Sequence, residues 1–162
     1  MIKKIIILGA GGAGMDIVSI INSINKLEKT WEIFGFLDDN KNIIGTQVMG
    51  IPVLGKIEKL DVYKDKYLIS SIAHPTNRDV RKIIWDKMSD YKFATIIHPS
   101  AILFDNVSIG EGSVVNANCV LASNIRIGKN VIIAYGCNIA HETIIESHVA
   151  LGTGVNLSSG VV

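Results

Sequence analysis

The chain has 162 residues, 48% of them hydrophobic and 19% charged, and its 16 basic and 15 acidic side chains leave a net charge of +1. That balance supplies no basic field for nucleic acid or for an anionic membrane surface, and no apolar run reaches the ~20 residues that span a bilayer, so membrane insertion is not expected. The length suits one large domain or two small ones. The start, Met1-Ile2-Lys3-Lys4 running straight into Ile5–Leu8, is too short for a signal peptide, so the location read from it is cytoplasmic.

In chain order, Lys3–Leu8 reads as a strand apolar on both faces, as in a buried parallel sheet. Gly9-Ala10-Gly11-Gly12-Ala13-Gly14 turns the chain, and Met15 to Leu27 carries helical apolar spacing at Ile17, Ile20, Ile21 and Ile24. Trp31–Leu37 is a second strand, stopped by Asp38-Asp39-Asn40. The segment 41–66 is less regular, with a short extended piece at Ile51–Gly55 followed by a helical turn. Tyr67–Ile72 is a third strand, Arg78 to Met88 a helix and Lys92–Ile97 a fourth strand. Strand and helix alternating in this way predict right-handed crossovers and a small, doubly wound parallel sheet, a Rossmann-like α/β domain over residues 1–98.

From position 97 the pattern changes. Ile97, Leu103, Ile109, Val115, Leu121, Ile127, Ile133, Ile139, Ile145, Leu151 and Leu157 form an unbroken series of branched aliphatics six residues apart. Neither a helix, with its period of 3.6, nor a single strand, with its period of 2, produces a strict six. A β-helix with three short strands to a coil does. Written from Ala101, the third hexad position fills the prism and the first is small or β-branched. The sixth is Gly, Asn, Glu or His, residues placed to turn a corner at positive φ. Residues 1–100 hold 25 charged side chains and residues 101–162 only 6, so the boundary of architecture is read near His98-Pro99-Ser100, with the β-helix domain over 99–162.

Two corollaries follow from the coil. Cys119 and Cys137 are 18 residues apart, one coil, so they stack about one strand spacing (~4.8 Å) apart and are expected as two reduced, buried thiols. The chain stops at Val161-Val162 in mid-hexad with no capping repeat, which predicts truncation relative to a longer parent.

Two motifs carry chemistry. Gly9-x-Gly11-x-x-Gly14 between a strand and a helix lets backbone N–H groups approach a diphosphate, with the acidic pair Asp38-Asp39 placed for a ribose or base. By itself the loop does not say which nucleotide, and a glycine turn that only packs strand on helix remains open. In the hexad region His141 is followed by Glu142, the types needed for a general base and its orienting carboxylate. A polar residue on an outer coil face is the alternative for His141. His148 reads as a corner or interface residue and His98 as structural, while His74 sits at the rim of the loop region.

Together GxGGxG, the LDD at Leu37-Asp38-Asp39, the IHPSA at Ile97–Ala101 and the hexad ending His141-Glu142 resemble the sugar acetyltransferases of the NeuD/PglD type. The resemblance covers essentially the whole chain. It implies a left-handed β-helix, homotrimers, acetyl-CoA in a groove between neighbouring prisms, and acetyl transfer to an amino or hydroxyl group of a nucleotide-linked or sialic-acid-type sugar. By match, Gly11, Gly12 and Ala13 face the phosphates and sugar of a UDP-sugar, Asp38 and Asp39 face the uridine, and Ala73 lies in the substrate site. His141 is the base and Glu142 its partner, and Ser159 and Gly160 sit one coil on at the thioester, where a backbone N–H stabilises the oxyanion. Family members often carry His at the position of Ala13 and Gly at the positions of Ala73 and Ser159. No metal is implied. Two other readings stand beside this one. The first is a sugar-nucleotide- or NAD-binding module whose β-helix only trimerises. The second is a zinc hydrolyase of the kind built on the same coil, which needs three histidines where the repeat holds His141 and His148 alone.

Overall fold

The computed structural model describes residues 2–72, 79–88 and 90–162, so Ala73 and His74 lie outside the described residues. The chain divides into two compact units, Met1–Ala94 and Thr95–Val162.

The first unit is built on a six-stranded sheet. Strands β1 (Lys3–Leu8), β2 (Trp31–Leu37), β4 (Ile51–Gly55), β5 (Tyr67–Ser70) and β6 (Lys92–Phe93) pair in parallel, and β3 (Gln47–Val48) adds to β4 antiparallel, in the order β3-β4-β2-β1-β5-β6. Ile5 to Leu8 are fully buried at the centre of the sheet, as their two-faced apolarity requires. Helix α1 (Gly12–Leu27) buries Ile17, Val18, Ile20 and Ile21, one stripe of a 3.6-residue period. It begins three residues earlier than its apolar spacing suggests, because the last glycines of the loop are already helical. Asn25 fixes its exit, accepting from Thr30 and Trp31 N–H at 3.0 Å each and donating to the Trp31 carbonyl at 2.8 Å. A 3-10 helix (Ile57–Tyr63) and α2 (Val80–Asp86) complete the unit; Leu60, Leu68, Met88 and Phe93 share one core with Ile6, Leu8 and Leu37. The β3–β4 hairpin turns through Met49 and Gly50, with φ of 51° and 75°. Such a turn is announced by Asn-Gly or Asp-Gly, and Met-Gly lacks that signature, so the antiparallel edge is absent from the sequence reading.

Lys92–Ile97, which reads as one strand, is two. Lys92–Phe93 pairs with β5, whereas β7 (Ile96–Ile97) pairs with Val114–Val115 as the first rung of the second unit. The coil therefore begins ahead of His98, whose Nδ1 accepts from the Ser100 N–H at 3.0 Å in a local turn.

The second unit is the parallel β-helix that the hexads announce. Its two-residue strands fall into three ladders: β7, β10 (Val114–Val115), β13 (Ile132–Ile133) and β16 (Ala150–Leu151); β8 (Ile102–Leu103), β11 (Val120–Leu121), β14 (Asn138–Ile139) and β17 (Asn156–Leu157); and β9 (Ser108–Ile109), β12 (Arg126–Ile127) and β15 (Ile144–Ile145). Each residue pairs with the one 18 positions on, as in Val115↔Ile133 and Leu121↔Ile139. Val115, Leu121, Ile127, Ile133, Ile139 and Ile145 are buried with Cys119, Ile125, Val131 and Cys137 in one core. Every sixth residue from Asn106 to Gly160 has positive φ, between 54° and 73°. Eight of these ten corners are Asn or Gly, which enter the left-handed region at low cost; the other two are Glu142 (62°) and His148 (69°).

Polar first-position side chains satisfy carbonyls fifteen residues on: Thr95 to Gly110, Ser113 to Gly128, Cys119 to Ala134, Cys137 to Gly152 and Thr143 to Ser158, at 3.0–3.2 Å. The two cysteines are free and buried, and each thiol is a donor. Burial pushes the Cys119 thiol above its ordinary pKa, which keeps that proton in place.

Candidate active site

The glycine loop joins β1 to α1, and its glycines differ in what requires them. At Gly9, with φ of 94°, a Cβ would stand 2.6 Å from Ser71 Oγ, and at Gly14 it would stand 2.2 Å from the Gly9 carbonyl oxygen. The fold demands both. At Gly11 and Gly12 a Cβ would meet nothing within 4 Å, and neither has positive φ. Gly11, Gly12 and Ala13 are exposed, and α1 starts with no side-chain cap and no acid in its first turn. Its first N–H groups thus point at solvent beside an open surface, the arrangement that receives a phosphate.

Asp38 and Asp39 end β2 in different environments. Asp38 Oδ2 accepts from the Ala10 N–H at 2.7 Å and its Oδ1 from the Asn40 N–H at 2.8 Å, so this side chain holds the glycine loop against the strand end. Asp39 Oδ1 accepts from the Ile57 N–H at 3.0 Å, at the start of the 3-10 helix. Ser71, which the sequence reading did not single out, braces the loop from the other side; its Oγ lies 2.8 Å from the Leu8 carbonyl and 3.0 Å from that of Gly9. A concavity of about 760 Å³ lies between the 3-10 helix and α2, lined by Lys41, Lys56, Leu60, Met88 and Tyr91 among others. Among the described residues, Asp39 is the one predicted site residue that reaches it.

In the coil, His141 and Glu142 occupy the corner between β14 and β15. His141 Nδ1 stands 3.5 Å from Glu142 Oε2, contact range for an ion pair and longer than a hydrogen bond, and the two side chains are 60% and 67% exposed. With the carboxylate on the Nδ1 side, Nε2 is the nitrogen open to a substrate. Glu142 holds its left-handed conformation with its N–H bonded to the Ser123 carbonyl at 3.2 Å. A non-Gly, non-Asn residue there costs of order 1 kcal/mol.

One coil above, Ser159 and Gly160 separate in role. The Gly160 N–H is bound to the His141 carbonyl at 3.1 Å, so it is not free for an oxyanion. The Ser159 N–H has no partner among the described residues and stands over the His141 position, 18 residues on. His148 lies at a different corner, half-buried, with Nδ1 3.0 Å from the Nδ2 of buried Asn130. Among the described residues no three His, Cys, Asp or Glu side chains gather as a metal site, and no helix is long and apolar enough to cross a membrane.

Two family profiles match these two units. The PglD N-terminal domain matches residues 4–88, more than half of the chain, and the bacterial transferase hexapeptide (six repeats) matches residues 106–141. No curated protein sequence matches. Among solved structures, the acetyltransferase domain of PglB from Neisseria gonorrhoeae, in complex with acetyl coenzyme A, is 26% identical with a TM-score of 0.84, over 98% of this chain and 74% of that one. WeeI from Acinetobacter baumannii is 25% identical with a TM-score of 0.77, over 96% and 72%. A mutant of perosamine N-acetyltransferase from Caulobacter crescentus, in complex with CoA and GDP-perosamine, shares the fold at 22% identity and a TM-score of 0.69, over 96% and 77%. An α/β unit followed by a hexapeptide β-helix with an exposed His–Glu corner defines the class: an acyltransferase, of the kind that acetylates sugars. The chain belongs to the PglD family.

Proposed function

We propose that this protein transfers acetyl from acetyl-CoA to the amino group of a nucleotide-linked sugar, a UDP-amino-sugar in the first instance, with His141 as general base. The observation that carries the reading is the His141–Glu142 pair at 3.5 Å on an exposed corner, with the unpartnered Ser159 N–H one coil above it. Glu142 favours the tautomer with the proton on Nδ1, leaving Nε2 as the acceptor. The sugar nitrogen attacks the thioester carbonyl carbon, a C–N bond forms, and the nitrogen's proton passes to Nε2. The Ser159 N–H donates to the oxyanion of the tetrahedral intermediate. The intermediate collapses with cleavage of the C–S bond, and the departing CoA sulfur takes the proton back from Nε2.

The glycine loop supports the nucleotide half of the reading. Gly11 and Gly12 lack any steric reason to be glycine; Gly11 stands at the N-cap, where Ser, Asp or Asn would cap better, and Gly12, inside the first turn, gives up about 0.5–1 kcal/mol relative to alanine. Close approach of a diphosphate explains both. Asp38 holds that loop in place, and Asp39 stands exposed beside it for the nucleoside. The working form is a homotrimer with acetyl-CoA between neighbouring coils, in the cytoplasm, where Cys119 and Cys137 stay reduced. No metal takes part.

The test is acetyl transfer from acetyl-CoA to a UDP-linked 4-amino sugar and to GDP-perosamine, followed as thiol release, with NAD(H) titrated in parallel. Turnover that disappears in His141→Ala supports the reading. Tight NAD(H) binding without nucleotide-sugar binding, or turnover indifferent to His141, overturns it.

A further inference from the structure

Arg126 is out of keeping with the rest of the coil. The second hexad position, on the outer face, holds an aliphatic, Ser, Ala or Asn in nine of the ten hexads and a charge only at Arg126. The coil has one other cation, Lys129, and it pairs with Glu111 at 2.7 Å. Arg126 is exposed and has no ion pair or side-chain hydrogen bond among the described residues. An unpaired guanidinium on a flat, charge-poor face adds nothing to the prism, whose core is made by the first and third positions.

Its surroundings suggest a task. A shallow groove of about 350 Å³ is lined by Asn106, Asn124, Arg126, Glu142 and Ile144. Within the groove, Asn106 Nδ2 donates to Asn124 Oδ1 at 3.1 Å. The groove therefore has an anionic wall at Glu142, the partner of His141, and a cationic wall at Arg126, with amides and one aliphatic side chain between. A ligand that complements both walls carries an amine at one end and an oxyanion at the other. An amino sugar with a phosphate across the ring has that polarity; a neutral sugar does not. The phosphates of CoA are separated from the thioester by the whole pantetheine arm, whereas a sugar-linked phosphate is one ring away from the amine. Guanidinium matches phosphate with two parallel hydrogen bonds, which a lysine does not reproduce.

We infer that Arg126 is the acceptor-specificity residue of this site, holding the phosphate linked to an amino sugar while the amine stands at Glu142 and His141. This rests on the acetyl-transfer reading above, and the experiment separates the two. In Arg126→Gln, KM for the nucleotide-linked amino sugar rises about 10- to 100-fold, the loss expected of a charge-assisted pair, KM for acetyl-CoA stays, and Arg126→Lys recovers part of the loss. On the wild-type protein, the Arg126 Nε–H resonance, assigned by its absence in Arg126→Gln, shifts with glucosamine 1-phosphate and not with glucosamine. A shift with N-acetylneuraminic acid in place of the sugar phosphate assigns the anion to a carboxylate and overturns the phosphate assignment. A KM effect on acetyl-CoA alone, or a change in assembly mass in Arg126→Gln, places Arg126 on CoA or on a second copy and overturns the inference. If the wild type acetylates no amino sugar, the acetyl-transfer reading fails, and the resonance titration decides Arg126 by itself: a shift with the sugar phosphate sustains the inference and no shift ends it.

Discussion

In the N-terminal unit, Gly9 and Gly14 are glycine because a side chain would strike Ser71 or the loop's own backbone. In the coil, Gly136, Gly154 and Gly160 have open space around them and are glycine because their φ lies between 63° and 72°. Each unit also holds glycines of the other kind: Gly45 and Gly50 of the first have open space and φ of 80° and 75°, and in the coil a Cβ on Gly110 or Gly128 would stand 2.5–2.6 Å from backbone one coil on. The same contrast isolates the residues that neither need explains. Gly11 and Gly12 in the first unit, like Gly152 in the coil, have room for a side chain and no positive φ. Among the coil's corners, Glu142 and His148 have positive φ without being Gly or Asn. On the proposed reading, Gly11, Gly12 and Glu142 are kept for function where the fold does not require them or tolerates them at a cost. In the first unit that leaves an empty surface, and in the second a side chain at a strained corner.

The comparison is broken most sharply at His141. Because its side chain is 60% exposed, His141→Ala leaves the melting temperature in place while acetyl transfer falls about 10²- to 10⁴-fold, the contribution of a general base; a parallel drop in thermal stability would make the corner a structural element. The glycine loop comes next. Gly14→Ala, whose Cβ would stand 2.2 Å from a carbonyl oxygen, destabilises by about 1–3 kcal/mol in denaturant titration. Gly12→Ala, with open space around it, is neutral or stabilises by about 0.5–1 kcal/mol, Gly11→Ala at the N-cap costs less than about 1 kcal/mol, and both weaken nucleotide-sugar binding in calorimetry. Equal destabilisation at all three positions would erase the distinction. At the strained corner, Glu142→Gly relieves a φ of 62°, raising stability by about 1 kcal/mol while lowering kcat; a variant that is both more stable and fully active would remove Glu142 from the site.

The smallest effect concerns pH. Burial raises the folded-state pKa of Cys119, so its neutral form is favoured by folding. That stability is complete below the unfolded-state pKa, close to the ordinary value of 9.0, and is lost as pH rises through the folded value, because only the unfolded thiol ionises in between. Wild-type protein therefore loses stability above about pH 9, and Cys119→Val loses less of it; identical slopes in urea titrations would show that the thiol does not report the coil's burial.

The coil is the more legible of the two units. Its period is strict because the backbone repeats itself every 18 residues, so each side chain meets the same surroundings as its counterpart one coil away. The aliphatic ladder, the corner residues and the stacking of Cys119 on Cys137 follow from that repetition alone. The α/β unit has no such repeat, yet β1, α1, β2 and the glycine loop stood out through their apolar periodicity and turn chemistry. The division of Lys92–Ile97 between the two units did not, since Phe93 and Ile96 are both buried and an apolar run does not say which sheet each half joins.

For the site, sequence alone determined which residue types stand at the loop and at the corner, because chemistry restricts those types. Only the tertiary structure decided what each contacts. It tied Asp38 to Ala10, bound the Gly160 N–H to His141 and left that of Ser159 open, and set Arg126 and Glu142 in one groove. Those are contacts between residues 16 to 28 positions apart in the chain. Hydrogen-bond partners at such separations are set by register and by turns in space, which no local pattern of residues encodes.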